Sequence, residues 1–237
     1  MSEETAPFCL CLAGPNGSGK STVTKGLRQV HQLDNWIDPD VVAERVRDEY
    51  RGRMSQSDIS QTAFSLARTE RLEYASKLTS FGFETVFSHI SNVDFLDALK
   101  TLGYVVHLYF ICTDDPKINV GRVRNRHDLG GHDVPEDKII DRYYRALDHL
   151  RQSTRRYDRI VLIDNSAALT PGQAIGQIVN GGGTKIEMFP RPHLPDWVID
   201  TTRAFQRFAL GARMVAENSD YKDDPGRRME LLDRFRV

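Results

Sequence analysis

Apolar positions along this chain fall into short runs separated by amphipathic stretches, the alternation of a parallel sheet covered on both faces. The runs predict strands at Phe8–Ala13, a short Asn35–Ile37, Phe83–Phe87, Val105–Cys112 and Arg159–Ile163. Between and after them, helical spacing predicts helices at about 20–32, 40–51, 58–80, 92–102, 115–127, 135–152 and 171–180. The expected fold is α/β, a parallel sheet of about five strands with helices on both faces. Gly181-Gly182-Gly183 reads as a linker between a unit at 1–180 and a C-terminal extension at 184–237. That extension is expected to hold an edge strand at Lys185–Phe189, a turn punctuated by Pro190, Pro192 and Pro195, and a helix from about Trp197 to Val215. The charged stretch from Glu217 is expected to be partly disordered.

Ligands of such sheets bind beyond the carboxyl ends of the strands. There, after the first predicted strand, stands Gly14-Pro15-Asn16-Gly17-Ser18-Gly19-Lys20-Ser21-Thr22, with the G-x-x-x-x-G-K-S spacing of a phosphate-binding loop. Its glycines let successive N–H groups point inward, and the helix that follows adds its positive end. Gly14, Asn16, Gly17, Ser18, Gly19, Lys20, Ser21 and Thr22 are the candidate nucleotide-binding residues. Lys20 is expected on the β/γ-phosphates and Ser21 on Mg²⁺, so a nucleotide bound with Mg²⁺ is implied.

The other strand ends carry further candidates. In Asp38-Pro39-Asp40, Asp40 opens a helix and can project into a cleft as a general base, or serve as that helix's N-cap. Glu84 lies within an apolar run, where an ionised carboxylate is costly unless it meets a substrate or a structural ion partner. Asp164-Asn165 suits either a contact to the nucleotide's base or ribose or an Asx-turn. Arg122, Arg124, Arg126, Arg142 and Arg145 surround the turn Gly130-Gly131-His132-Asp133. Two helices joined there form either a lid at about 115–147 that carries arginines onto phosphate, or a solvated pair bridged to nearby aspartates.

Composition narrows the partners. Lys and Arg number 32 against 33 Asp and Glu, which argues against electrostatic binding to nucleic acid or an anionic membrane. No apolar run approaches membrane-spanning length and the N-terminus is acidic and polar, so a cytoplasmic setting is expected. Cys9, Cys11 and Cys112 fall in predicted strands and read as small buried hydrophobes.

Taken together, Ala13–Thr22, Ile37-Asp38-Pro39-Asp40, Phe83-Glu84-Thr85 and Gly130–Lys138 followed by Arg142-Tyr143 resemble the zeta-toxin-like P-loop kinases, over roughly residues 7–170. The resemblance implies a nucleotide-kinase-like fold with a helical lid, and transfer of the γ-phosphate of ATP to a sugar hydroxyl of UDP-N-acetylglucosamine. By position it implies Asp40 as general base and Lys20 and Ser21 as phosphate and Mg²⁺ ligands. It also implies Glu84 and Thr85, with Ser88 beside them, as a substrate-contacting strand end, and Arg126 and Arg142 as lid arginines. An antitoxin protein is the implied partner. Three other readings stay open at this point: a kinase of another nucleotide sugar or dinucleotide, a nucleotide-dependent ATPase or switch, and a kinase of nucleic-acid ends, which needs a continuous basic groove.

Overall fold

The computed structural model describes residues 6–128, 134–167, 172–180, 184–208 and 224–233. At its centre is a seven-stranded sheet in the order β2-β3-β1-β4-β5-β6-β7. The strands are β1 Phe8–Ala13, β2 Trp36–Ile37, β3 Phe81–Thr85, β4 Val105–Cys112, β5 Arg159–Asp164, β6 Gln173–Asn180 and β7 Thr184–Met188. The first five run parallel, while β6 and β7 add an antiparallel edge. The helices are α1 Lys20–Val30, α2 Pro39–Tyr50, α3 Gln56–Ser76, α4 Ile90–Thr101, α5 Pro116–Asp128, α6 Glu136–Ser153, α7 Asp196–Phe208 and α8 Pro225–Asp233.

Strand side chains alternate between two apolar layers, as the pleat requires. Cys9, Cys11, Phe81, Phe83, Leu108, Phe110, Ile160 and Leu162 join the larger core with residues of α2, α3, α4, α6, α7 and α8. Leu10, Leu12, Tyr109, Ile111, Val161 and Ile163 face the other way, toward Val23 and Leu27 of α1. All three cysteines are free and fully buried. A third, small cluster of Val120, Val123 and Ile139 holds α5 to α6.

The parallel strands lie where the sequence places them, with instructive exceptions. The helix expected at 171–180 is instead β6. A bulge explains it: Leu162 pairs with Gly176 but Ile163 pairs with Ala174, so Ile175 is an extra residue. The bulge leaves Ile175 and Ile178 buried three positions apart, which imitates a helical stripe. Gly181-Gly182-Gly183 lies outside the described residues, but the strands on its two sides pair antiparallel, so β7 continues the same sheet. Strand β3 begins two residues earlier than expected because Gly82 presents no Cβ to the Trp36 ring lying against it. Phe87, expected inside that strand, follows it with φ 62°, a left-handed conformation costly for a bulky residue. In the extension, Trp197 packs 6.0 Å from Phe110 between ring centroids. Within the charged tail, α8 buries Leu232 against the core.

Candidate active site

After β1 the chain turns through Gly14–Gly19 into α1, with Gly17 at φ 74° and Gly19, the N-cap, at φ 96°. Loop carbonyls that meet no backbone N–H need donors from elsewhere. Two buried asparagines do this. Asn119 Nδ2 on α5 donates to the Asn16 carbonyl at 2.6 Å, and Asn165 Nδ2 beyond β5 donates to the Ser18 carbonyl at 2.7 Å. They also fix the glycines, since a Cβ at Gly17 would strike the Asn119 carbonyl and one at Gly19 would strike Asn165 Nδ2. Lys20 Nζ closes the loop, donating to the carbonyls of Gly14 at 2.8 Å and Pro15 at 3.0 Å. Burial draws the Lys20 pKa down, while Glu84 and Asp40 oppose the shift. Ser21 and Thr22 stand exposed at the start of α1.

Across a cleft of about 320 Å³, the facing wall is formed by Asp38, Pro39, Asp40, Glu84, Thr85 and Val86. The N-cap of α2 is Asp38, whose carboxylate accepts from Asp40 N–H at 2.9 Å, with Pro39 in the first helical position. The Asp40 carboxylate takes no part in capping. It is 81% exposed, and Arg126 Nη1 lies 3.9 Å away. Glu84, only 5% exposed, accepts from Thr24 Oγ1 at 2.5 Å. Burial raises the pKa of both Glu84 and Asp38. The Thr85 carbonyl accepts from Gly14 N–H at 3.2 Å, tying the loop to this wall. Ser88 does not line the cleft.

Helix α5 forms the third wall through Arg122, Val123 and Arg126. Arg122 Nη2 donates to the Ala167 carbonyl at 3.2 Å, while its Nη1 is buried without a partner. Arg142 on α6 reaches Asn16 Oδ1 at 3.3 Å. Arg124 and Arg145 instead pair with Glu136 at 2.5 Å and Asp141 at 2.7 Å, as exposed bridges between helical residues. The Gly130–Asp133 turn lies outside the described residues. Asp164 makes the Asx-type turn, accepting from Ser166 N–H at 3.2 Å and Oγ at 2.5 Å, and pairs with Arg191.

Among the sequence candidates, Asn16, Gly17, Gly19, Lys20, Ser21, Thr22, Asp40, Glu84, Thr85 and Arg126 line one cleft. Gly14 and Ser18 shape the loop beneath it, and Arg142 reaches it through Asn16. Asn119 stands outside the sequence candidates yet belongs to the site, while Asp38, Arg122 and Asn165, named there with the strand ends and the arginine cluster, cap α2, line the cleft and support the loop respectively. The signal for Asn119 is a polar residue on the same buried helix face as Val120 and Val123.

A glycine-rich loop of phosphate-binding spacing on one wall and an exposed carboxylate free of capping on the other, at the carboxyl ends of a parallel sheet, make this a P-loop kinase, a nucleotide-dependent phosphotransferase. The comparisons agree. The zeta toxin family model matches residues 1–170, and the chain belongs to that family. An uncharacterized protein of Haemophilus influenzae is 30% identical over 131 residues, 55% of this chain and 88% of its own length. Among solved structures, the AvrRxo1-ORF1:-ORF2 complex with ATP superposes with a TM-score of 0.57 at 14% identity, over 99% of this chain and 78% of that one. The PezAT chromosomal toxin–antitoxin system of Streptococcus pneumoniae gives 0.55 at 16% identity, over 97% and 88%. At those identities the two structures show the shared fold. Among the described residues no helix is long and apolar enough to cross a membrane.

Proposed function

We propose that this kinase moves the γ-phosphoryl group of ATP, bound with Mg²⁺, onto a hydroxyl of a small nucleotide-type metabolite in the cytoplasm. Asp40 acts as the general base, and family resemblance favours a nucleotide sugar such as UDP-N-acetylglucosamine. The observation that carries the reading is the Asp40 carboxylate, relieved of capping by Asp38 and exposed in the cleft opposite the phosphate loop.

The acceptor oxygen forms its bond to the γ-phosphorus while the bond to the β–γ bridging oxygen breaks, and the hydroxyl proton passes to Asp40. Lys20 leaves the Gly14 and Pro15 carbonyls for the incoming phosphates. Arg126 and Arg142 offset the charge on the moving group. Among the described residues no cluster of three or more His, Cys, Asp or Glu could hold a metal alone. That suits Mg²⁺, which prefers few protein ligands plus phosphate oxygens and water. The Ser21 hydroxyl, exposed on the first turn of α1 beside the loop, would hold it. Bound there, the ion neutralises phosphate charge. An antitoxin partner is proposed on the same family grounds, supported by the toxin–antitoxin system that shares the fold.

Incubation with ATP, Mg²⁺ and a metabolite extract, followed by mass spectrometry, tests the reading. A species heavier by one phosphoryl group, absent with Asp40→Asn, is the expected result. ATP hydrolysis with no phosphorylated metabolite would overturn it.

A further inference from the structure

The family match ends at residue 170, yet a side chain from beyond it reaches the phosphate loop's support. Residues 189–196 cross the carboxyl edge of the sheet as a strap fastened at both ends. Phe189 N–H donates to the Ile175 carbonyl at 3.0 Å, and Asp196 N–H donates to Asp114 Oδ1 at 3.1 Å. Between these anchors Arg191 Nη2 lies 2.9 Å from Asp164 Oδ2, with the Asp164 side chain 6% exposed. Asp164 spends its other oxygen on Ser166, and among the described residues Arg191 is the cation paired with this buried carboxylate. The next residue, Asn165, is pinned by its N–H to the Cys112 carbonyl at 2.8 Å and aims its amide at the Ser18 carbonyl.

We infer that Arg191 is a positioning residue for the phosphate loop: its pairing with Asp164 holds Asn165 beneath Ser18, so the C-terminal extension sets how well the loop grips nucleotide phosphates. The inference rests on the loop binding nucleotide, as proposed above. Without Arg191, a buried carboxylate is left without its counter-charge, and such a group draws in water or turns outward. Residues 164–166 then shift, the Ser18 carbonyl loses its donor, and the loop spends N–H geometry that phosphate needs. The effect falls on nucleotide affinity rather than on the proton transfer at Asp40, which lies on the opposite wall.

The test combines calorimetric ATP binding with hydrogen exchange of the nucleotide-free protein, on wild type, Arg191→Gln, Arg191→Lys, Asp164→Asn and the double variant Asp164→Asn/Arg191→Gln. Arg191→Gln should weaken ATP binding roughly ten-fold and speed exchange at residues 14–19, while Arg191→Lys, which keeps the charge, restores most of both. In the Asp164→Asn background, Arg191→Gln should add less than about two-fold, since the partner is already neutral. Wild-type affinity and exchange in Arg191→Gln, or an undiminished effect in the Asp164→Asn background, would overturn the inference. If Arg191→Gln does not fold, the Lys and Asp164→Asn variants still decide it through exchange at the loop. Failure of the wild type to bind ATP would refute the nucleotide reading alone, because exchange at residues 14–19 compares the same variants without nucleotide.

Discussion

Asp40→Asn separates chemistry from folding more cleanly than any other substitution in this site. Its carboxylate is 81% exposed and does not cap α2, and the arginine it pairs with, Arg126, is 50% exposed and 3.9 Å away. An exposed pair at that distance contributes roughly half a kcal/mol or less, so for a chain of this size Tm should fall by no more than about 2 °C. Removal of a general base costs about 10²–10⁴ in rate, equivalent to about 3–5 kcal/mol in the transition state. The predicted outcome is therefore a normal melting curve, intact ATP binding and loss of at least about a hundred-fold in kcat. Asp38→Ala provides the opposite control: loss of the α2 cap costs about 1 kcal/mol, or about 2–4 °C. Thermal denaturation and steady-state transfer from radiolabelled ATP measure both. Turnover within about three-fold of wild type, or a Tm drop above about 4 °C for Asp40→Asn, would refute the assignment of Asp40 as base.

Lys20→Ala should abolish transfer by about 10³ or more while leaving circular dichroism unchanged, because its bonds reach only the loop's own carbonyls; more than a tenth of wild-type activity would contradict this. Arg126→Lys and Arg142→Lys should lower kcat with little change in Tm, since Lys keeps charge but cannot engage two phosphate oxygens; a Tm loss with normal kcat would make these arginines structural. Stability should also fall with acid through two neighbouring histidines, His31 and His107, whose pKa values burial lowers. His107, packed edge-on to Phe8 at 4.8 Å, has its pKa lowered from 6.5 to about 4, chiefly by burial and then by Arg159 and His31. Its lowered pKa means the unfolded chain binds the proton first, so the loss begins as pH drops below 6.5 and is complete near 4. Allowing for partial exposure of the ring, about 1–2 kcal/mol should be gone by pH 5, and His107→Gln should flatten that slope in urea titrations.

Much of this architecture was written in local pattern. The phosphate loop was legible because its glycines, lysine and serine must be contiguous, and the five parallel strands because each is a continuous apolar run. Strand β6 was not, because a bulge in its pairing with β5 is a property of two strands and leaves each one's spacing ambiguous. Asp40 was legible as a strand-end acid, but only the dihedral angles at Asp38 reveal which of the two aspartates caps the helix. Asn119 escaped for a different reason, and Asn165, read as a nucleotide contact or part of an Asx-turn, was named without its true partner. They serve backbone carbonyls more than a hundred residues away in sequence, and no spacing rule encodes such a partner. Arg191 lies further still from the motif it supports.

The three cysteines give the chain a built-in gauge of its own opening. Each lies in a central strand with its thiol pKa raised by burial, Cys112 to about 12, so the reactive thiolate is scarce in the native state as well as out of reach. An alkylating reagent must wait for the strand to leave the sheet. With reclosing faster than reaction, the labelling rate divided by that of an unfolded thiol equals the opening constant. Cys9 and Cys11 on β1 and Cys112 on β4 therefore report, without any introduced probe, how often the sheet parts beside the phosphate loop, and how much less often it does so once nucleotide is bound.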